Sequence, residues 1–231
     1  MSISIEYDYL FKFLILGNSS VGKTSFLYQY TDGVFRSNFS STVGVDFREK
    51  RMLYKTNGRN YRVHLQCWDT SGQERFRSLT TAFYRDAVGF LLVFDLTNEK
   101  SFLEVVYWME QLKIHAYCDC PDIVLVGNKM DMERQRIITE VRARHFAQKY
   151  NLPYIETSAV TGENVKQAFD ILLELVMNRL ENAVFRTKLP THGNSRKLSA
   201  ITNGPNNSNA NADGKNITIQ HAKDMKKCAC G

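Results

Sequence analysis

Gly17-Asn18-Ser19-Ser20-Val21-Gly22-Lys23-Thr24 places two glycines, a lysine and a hydroxyl at the spacing G-x-x-x-x-G-K-[ST], directly after the apolar run 10–16. A strand that breaks into such a loop, with Gly22, Lys23, Thr24 and Ser25 opening a helix, builds a cradle of backbone N–H groups for phosphates. The helix N-terminus adds partial positive charge. Lys23 adds a full charge for the β- and γ-phosphates, and the Thr24 hydroxyl a magnesium ligand. A glycine turn beside an incidental lysine is the plain alternative, and the flanking strand and helix speak against it. The loop alone leaves the nucleotide open.

Three further clusters narrow the chemistry. Trp68-Asp69-Thr70-Ser71-Gly72-Gln73-Glu74 follows a strand ending at Cys67. There Asp69 can hold the hydration shell of a magnesium ion, Gly72 can bring a backbone N–H to the γ-phosphate, and Gln73 can orient an attacking water. Asn128-Lys129-Met130-Asp131 follows the run 123–126. The Asp131 carboxylate can accept from guanine N1 and the exocyclic amine, a donor pair that adenine lacks. The Lys129 stem can cover the base while Asn128 ties loops together. Glu156-Thr157-Ser158-Ala159 ends a short strand, and the Ala159 N–H is placed to reach guanine O6 with Ser158 beside it. Each tetrapeptide arises by chance; four in this order are specific.

The elements that must position these loops alternate between β and α. Strands are expected over 9–16, 44–55, 61–68, 88–94, 123–126 and 154–155. Asn57-Gly58 between two of them is a hairpin signal, because both residues tolerate positive φ. Helices are expected over 22–31, along the stripe Phe102, Val105, Val106, Met109 and Leu112, and along Val165, Ala168, Phe169, Leu172 and Val176, with Thr161 as a cap. This pattern predicts an α/β, P-loop NTPase fold: a doubly wound, mostly parallel six-stranded sheet with one antiparallel strand and helices on both faces. Ligands bind such sheets at the carboxyl ends of the strands, where the four motifs fall.

Composition divides the chain. All 11 Tyr, 14 Phe and 2 Trp lie at or before Phe185. The stretch 186–231 is rich in Asn, Gly and Ser, too poor in apolar area to order itself. A globular body over 1–185 and a flexible tail over 186–231 are expected. That tail holds eight basic and two acidic residues, the whole formal +6 of the chain, so the body is formally neutral. A basic nucleic-acid footprint is thereby disfavoured, and the tail suits an anionic membrane surface, with a merely solubilising linker as the plain alternative. Residues 1–8 lack a signal-peptide pattern and no apolar run reaches 18 residues. Glycosylation spacings at Asn18, Asn38, Asn206 and Asn216 then read as chance. The five cysteines read as thiols rather than a disulfide framework. Cys118 and Cys120 near His115 fit none of the common zinc spacings.

Over residues 8–182 the chain resembles a Ras-like small GTPase, and more narrowly a Rab. The segments Thr42-Val43-Gly44-Val45-Asp46-Phe47, Trp68-Asp69-Thr70, Glu74-Arg75-Phe76-Arg77-Ser78-Leu79 and Thr80-Thr81-Ala82-Phe83-Tyr84-Arg85 carry the likeness. Phe26-Leu27-Tyr28-Gln29-Tyr30-Thr31-Asp32-Gly33, Phe47-Arg48-Glu49-Lys50-Arg51 and His115-Ala116-Tyr117-Cys118 are similar to the Rab subgroup of regulated secretory granules. The resemblance implies that Thr42 binds magnesium and senses the γ-phosphate, and that Phe35 stacks on guanine opposite Lys129. It implies that Phe47, Trp68 and Phe83 form an aromatic triad that meets effectors, with ordinary core aromatics as the alternative. Mg2+ as cofactor and GTP and GDP as substrate and product follow from the same likeness.

Departures from the family pattern mark where behaviour could differ. Ser20 stands where most Rabs have glycine, and a serine Cβ crowds a position that needs positive φ. Ser71 adds a hydroxyl before Gly72. No ligand is lost, so a working, slow GTPase is expected. The final Cys228-Ala229-Cys230-Gly231 reads either as a C-x-C motif with one extra residue or as a C-a-a-X box with an atypical final Gly, two unmodified cysteines being the plain alternative. Geranylgeranyl groups on both Cys228 and Cys230 are expected, since one lipid chain is reversible and two hold. Expected partners are effectors of the GTP form, an exchange factor (GEF), a GTPase-activating protein (GAP), a GDI-type carrier or escort and a geranylgeranyl transferase. The chain is expected to be a monomer on the cytoplasmic face of vesicle or secretory-organelle membranes, cycling with cytosol in vesicle trafficking. Three rivals remain: a nucleotide-locked scaffold with negligible hydrolysis, a P-loop ATPase or small-molecule kinase, and a GTPase that never meets a membrane.

Overall fold

Both faces of the central strands are apolar, so the sheet must be covered twice. In β1 (Tyr9–Leu16), Phe11, Phe13 and Ile15 point to one side and Leu14 and Leu16 to the other. β4 (Gly89–Asp95) is buried throughout, as expected of a strand between parallel neighbours. The computed structural model of the chain describes residues 7–36, 45–56, 58–70, 81–116 and 121–188. The first layer of helices is α1 (Lys23–Asp32) and α5 (Val165–Lys188). Tyr30 stacks on Phe169 with ring centroids 3.6 Å apart, and both join Phe13, Leu91 and Val124 in one core. On the other face Phe102, Trp108, Leu112 and Ala143 close over Leu14, Phe90 and Leu125. They belong to α2 (Glu99–Leu103), α3 (Val105–His115) and α4 (Glu140–Lys149).

The six strands run in the order β2-β3-β1-β4-β5-β6, where β2 is Val45–Thr56, β3 Arg59–Thr70, β5 Asp122–Asn128 and β6 Tyr154–Thr157. Among the described residues only the β2–β3 pair is antiparallel, with Thr56 opposite Arg59 across a two-residue turn. Gly58 has φ +72° there, as a tight primed turn demands. The expected α/β architecture is therefore the observed one. Asn57 lies outside the described residues.

Two expectations need correction. The stripe read as one helix is two, joined at Glu104, and Trp108 rather than half-buried Val106 fills its core side. Val105, Trp108, Met109 and Leu112 follow the i, i+3, i+4, i+7 spacing of one helix face, and residue 106 falls off it. Thr161 does not cap α5. Its hydroxyl accepts from Glu163 N within a turn, and Asn164, at φ +58°, precedes the helix. The helix itself continues to Lys188.

Candidate functional site

β1 and β4 lie side by side, and the chain leaves them in opposite directions, which opens a crevice at their carboxyl ends. Gly17 begins the phosphate loop in that crevice. A Cβ on it would sit 2.1 Å from Val93 O of β4, so no other residue fits. Gly22 ends the loop at φ +95°, and no side chain caps α1 after it. A helix begun this way presents its first N–H groups to an outside acceptor, the arrangement that binds phosphate. Lys23 turns back over the loop, donating to Gly17 O at 2.9 Å and Asn18 O at 2.7 Å. An ammonium has three donors, so one is left for a ligand. Burial pushes this lysine down to about 8, with the Asp69 carboxylate opposing the shift.

Thr24 Oγ1 donates to Asp69 Oδ2 at 2.5 Å, and Asp69 is fully buried at the end of β3. An alcohol and a carboxylate thus meet where sequence placed two magnesium-binding groups. The donor set is all oxygen with a single carboxylate, which fits a hard cation completed by phosphate oxygens and water. Thr70 Oγ1 fastens the same strand end to Ile15 O at 2.9 Å. Among the described residues no cluster of three His, Cys, Asp or Glu side chains could hold another metal.

The second half of the site is knit from β5 and β6. Asn128 Nδ2 donates to Val21 O at 2.9 Å, while its Oδ1 accepts from Ala159 N at 3.2 Å and Thr157 Oγ1 at 3.3 Å. One amide therefore joins three loops, as the sequence implied. Ser158 Oγ donates to Asp131 Oδ1 at 2.6 Å and accepts from Val160 N and Thr161 N. The carboxylate is held in one orientation with Oδ2 left for a ligand. The Ala159 N–H points to Asn128, so any bond from it to a base oxygen is shared. Lys129 adopts φ +72° and its ammonium lies 2.7 Å from Asp95 Oδ2.

Asp95 was not singled out from sequence, although a lone acid closing an apolar strand was the available signal. It is 5% exposed, and its other oxygen accepts Thr97 N and Oγ1. Glu104 and Trp108, which hold Asn18, were also missed. So was the Arg136–Glu156 pair, two parallel bonds of 2.9 and 2.6 Å that brace β6 beneath Asp131's loop.

Phe47, Trp68 and Phe83 come together as expected, with centroids 4.8 Å and 5.7 Å apart along the row. Phe47 and Phe35 are exposed. Ser20 sits at φ +64° with its side chain exposed, so the loop does require a left-handed residue there. Thr42, Ser71, Gly72, Gln73, Cys118, Cys120, Cys228 and Cys230 lie outside the described residues. Cys67 is buried, and desolvation pushes its thiol up to about 12, which makes it inert. No helix among the described residues is long and apolar enough to cross a membrane.

The Ras family model matches residues 12–178. Ras-related protein Rab-27A of Rattus norvegicus is 61% identical over 191 residues, 80% of this chain and 86% of that protein. Rab-27A of Homo sapiens is 54% identical over 232 residues, 98% of both chains. Rab-27B of Bos taurus is 53% identical over 231 residues, 97% of this chain and 98% of that protein. With this likeness and a sheet, phosphate loop and base loops of the kind described, the chain belongs to the Ras family, within it to the Rab GTPases of the secretory-granule subgroup, and hydrolyses GTP in vesicle trafficking and exocytosis.

Proposed function

We propose that the crevice holds the nucleotide with its phosphates on residues 17–25 and its guanine between Phe35 and Lys129. The observation that carries this reading is Asp131, whose carboxylate is fixed by Ser158 at 2.6 Å on a loop that Asn128 ties to the phosphate loop. Ser158 and Ala159 complete the base side. Lys23 meets the β- and γ-phosphates. Thr24 and Thr42 and, through water, Asp69 would hold Mg2+, which would supply charge neutralisation to the phosphates. The N–H groups of Gly72 and Thr42 meet the γ-phosphate, and Gln73 orients the water for in-line attack. A partner GAP supplies the transition-state charge, worth about 10³–10⁵ in rate. Loss of the γ-phosphate then releases both segments and the effector surface built on Phe47, Trp68 and Phe83.

As a Rab the chain associates with vesicle or granule membranes and works with effectors, exchange factors, activating proteins and a dissociation inhibitor. Residues 1–185 form the G domain in this reading, and 186–231 carry geranylgeranyl groups at Cys228 and Cys230 that let it cycle between cytosol and the cytoplasmic face of the membrane. Single-turnover hydrolysis of GTP, with and without a Rab-type GAP, tests the mechanism. Slow phosphate release, sharply accelerated by the GAP, is expected; no phosphate in either case overturns it. Intact mass of protein from eukaryotic cells should show two lipids on the tail.

A further inference from the structure

Asn18 lies in the phosphate loop, yet among the described residues its side chain bonds only to the helical layer. Its Nδ2–H donates to Glu104 Oε2 at 2.7 Å, and its Oδ1 accepts the Trp108 Nε1–H at 2.8 Å. The two partners make opposite demands. An ionised carboxylate only accepts, and an indole N–H only donates. A side chain that answers both must offer a donor and an acceptor side by side, which is what an amide does. Trp108 is 3% exposed, so its N–H has little water to turn to if Asn18 withdraws. Glu104 sits at the joint of α2 and α3, and its other oxygen faces Lys100 Nζ at 3.6 Å. The backbone of Asn18 belongs to the same arrangement, because its carbonyl receives Lys23 Nζ at 2.7 Å.

We infer that Asn18, Glu104 and Trp108 form a clamp that fastens the phosphate loop to the α2–α3 joint and sets how long a nucleotide stays bound. Asn18 acts here as a positioning residue: its side chain fixes the carbonyl that fixes the lysine. The inference rests on the guanine-nucleotide reading above. It makes the residue at 104 part of the nucleotide-holding machinery although it lies 86 positions away in the chain.

Release of a fluorescent GDP analogue from the full chain tests this. Asn18→Asp sets two carboxylates against each other and should speed release about tenfold. The double variant Asn18→Asp with Glu104→Gln restores a donor–acceptor pair with the roles exchanged, and should return release to within about twofold of wild type. A general loss of fold would not be repaired by that second change. The clamp is overturned if Asn18→Asp releases nucleotide at the wild-type rate, or if release is equally fast with Glu or Gln at 104, since the new charge would then act on the phosphates directly. Should Asn18→Asp not fold, Glu104→Ala leaves the loop untouched and should speed release about threefold; an unchanged rate again overturns the clamp. Wild-type binding in the same assay carries the guanine reading by itself, and its failure would remove that reading and the clamp together.

Discussion

The base side and the phosphate side of the crevice are stabilised in different ways. On the base side the polar groups answer one another: Asn128 serves Val21, Thr157 and Ala159, and Ser158 serves Asp131. On the phosphate side both a lysine and an aspartate are buried, and among the described residues the lysine's hydrogen bonds go to carbonyls. Burying a charge costs free energy unless it is paired. The base loops thus hold their geometry through their own hydrogen bonds, whereas the phosphate loop keeps a desolvated ammonium that the Asp69 carboxylate offsets only in part. In the proposed reading, selection of the base belongs to a prebuilt surface, and binding strength to a site that the phosphates finish.

Asp131→Asn is the strongest test of that contrast. The amide keeps an oxygen for Ser158 but presents a donor to the guanine donors. GTP affinity should fall about 10²–10³-fold, with the preference over ATP largely gone. Stability of the nucleotide-free domain should change by less than about 1 kcal/mol, because the Ser158 bond survives. Competition of GTP and ATP for a fluorescent GDP analogue, with denaturant unfolding alongside, reads both numbers. A large loss of stability would show that the base loop is not self-sufficient.

Lys23→Met should behave in the opposite sense. Nucleotide affinity should drop about 100-fold through loss of a charge-assisted contact. The nucleotide-free domain should be as stable or more stable, because a desolvated ammonium is replaced by an apolar chain of similar length. Calorimetric binding and thermal unfolding without nucleotide check the two signs. A destabilised free domain would mean that the lysine's bonds to Gly17 and Asn18 outweigh its burial.

Glu156→Gln probes the brace under the base loop and should cost about 1–3 kcal/mol, since it leaves Arg136 short of a charged partner. Burial alone would raise the Glu156 carboxyl, but hydrogen bonds from Arg136 and Tyr154 outweigh it and lower the group overall. A lowered carboxyl stabilises the fold above its unfolded value near 4.5 and loses that contribution as pH falls through the lower folded value. Wild type should therefore lose stability relative to the variant on acidification. Parallel acid titrations followed by circular dichroism would refute the brace if the two curves keep their separation.

Local rules explain which parts of the fold were legible. The apolar run 9–16 marked β1, and Asn57-Gly58 marked the hairpin, because both signals act over a few residues. The phosphate loop was legible because its chemistry demands certain residue types at set spacing. What escaped depends on distant approach. Nothing near Asn18 announces an indole 90 positions on, and nothing near Lys129 announces the buried Asp95 that holds it. The break at Glu104 escaped for another reason: the apolar spacing runs through it unchanged, while the backbone closes a turn there onto Lys100 O and Phe102 O.

Ser20 is where a sequence rule and the structure conflict most openly, and it should have the smallest effect on the fold. A left-handed serine costs about 1–2 kcal/mol relative to ordinary backbone. Glycine at the same place removes that strain but loses more freedom on folding, at about 0.5–1 kcal/mol. The side chain is exposed, so no packing is at stake. Ser20→Gly should then shift unfolding stability by no more than about 1 kcal/mol, in the stabilising direction. Any larger change would have to come from contacts the exposed serine makes. If instead GDP release shifts while stability holds, residue 20 acts on the ligand, and the phosphate side gains a further determinant that the base side lacks. Paired unfolding and release measurements on this one variant separate the two.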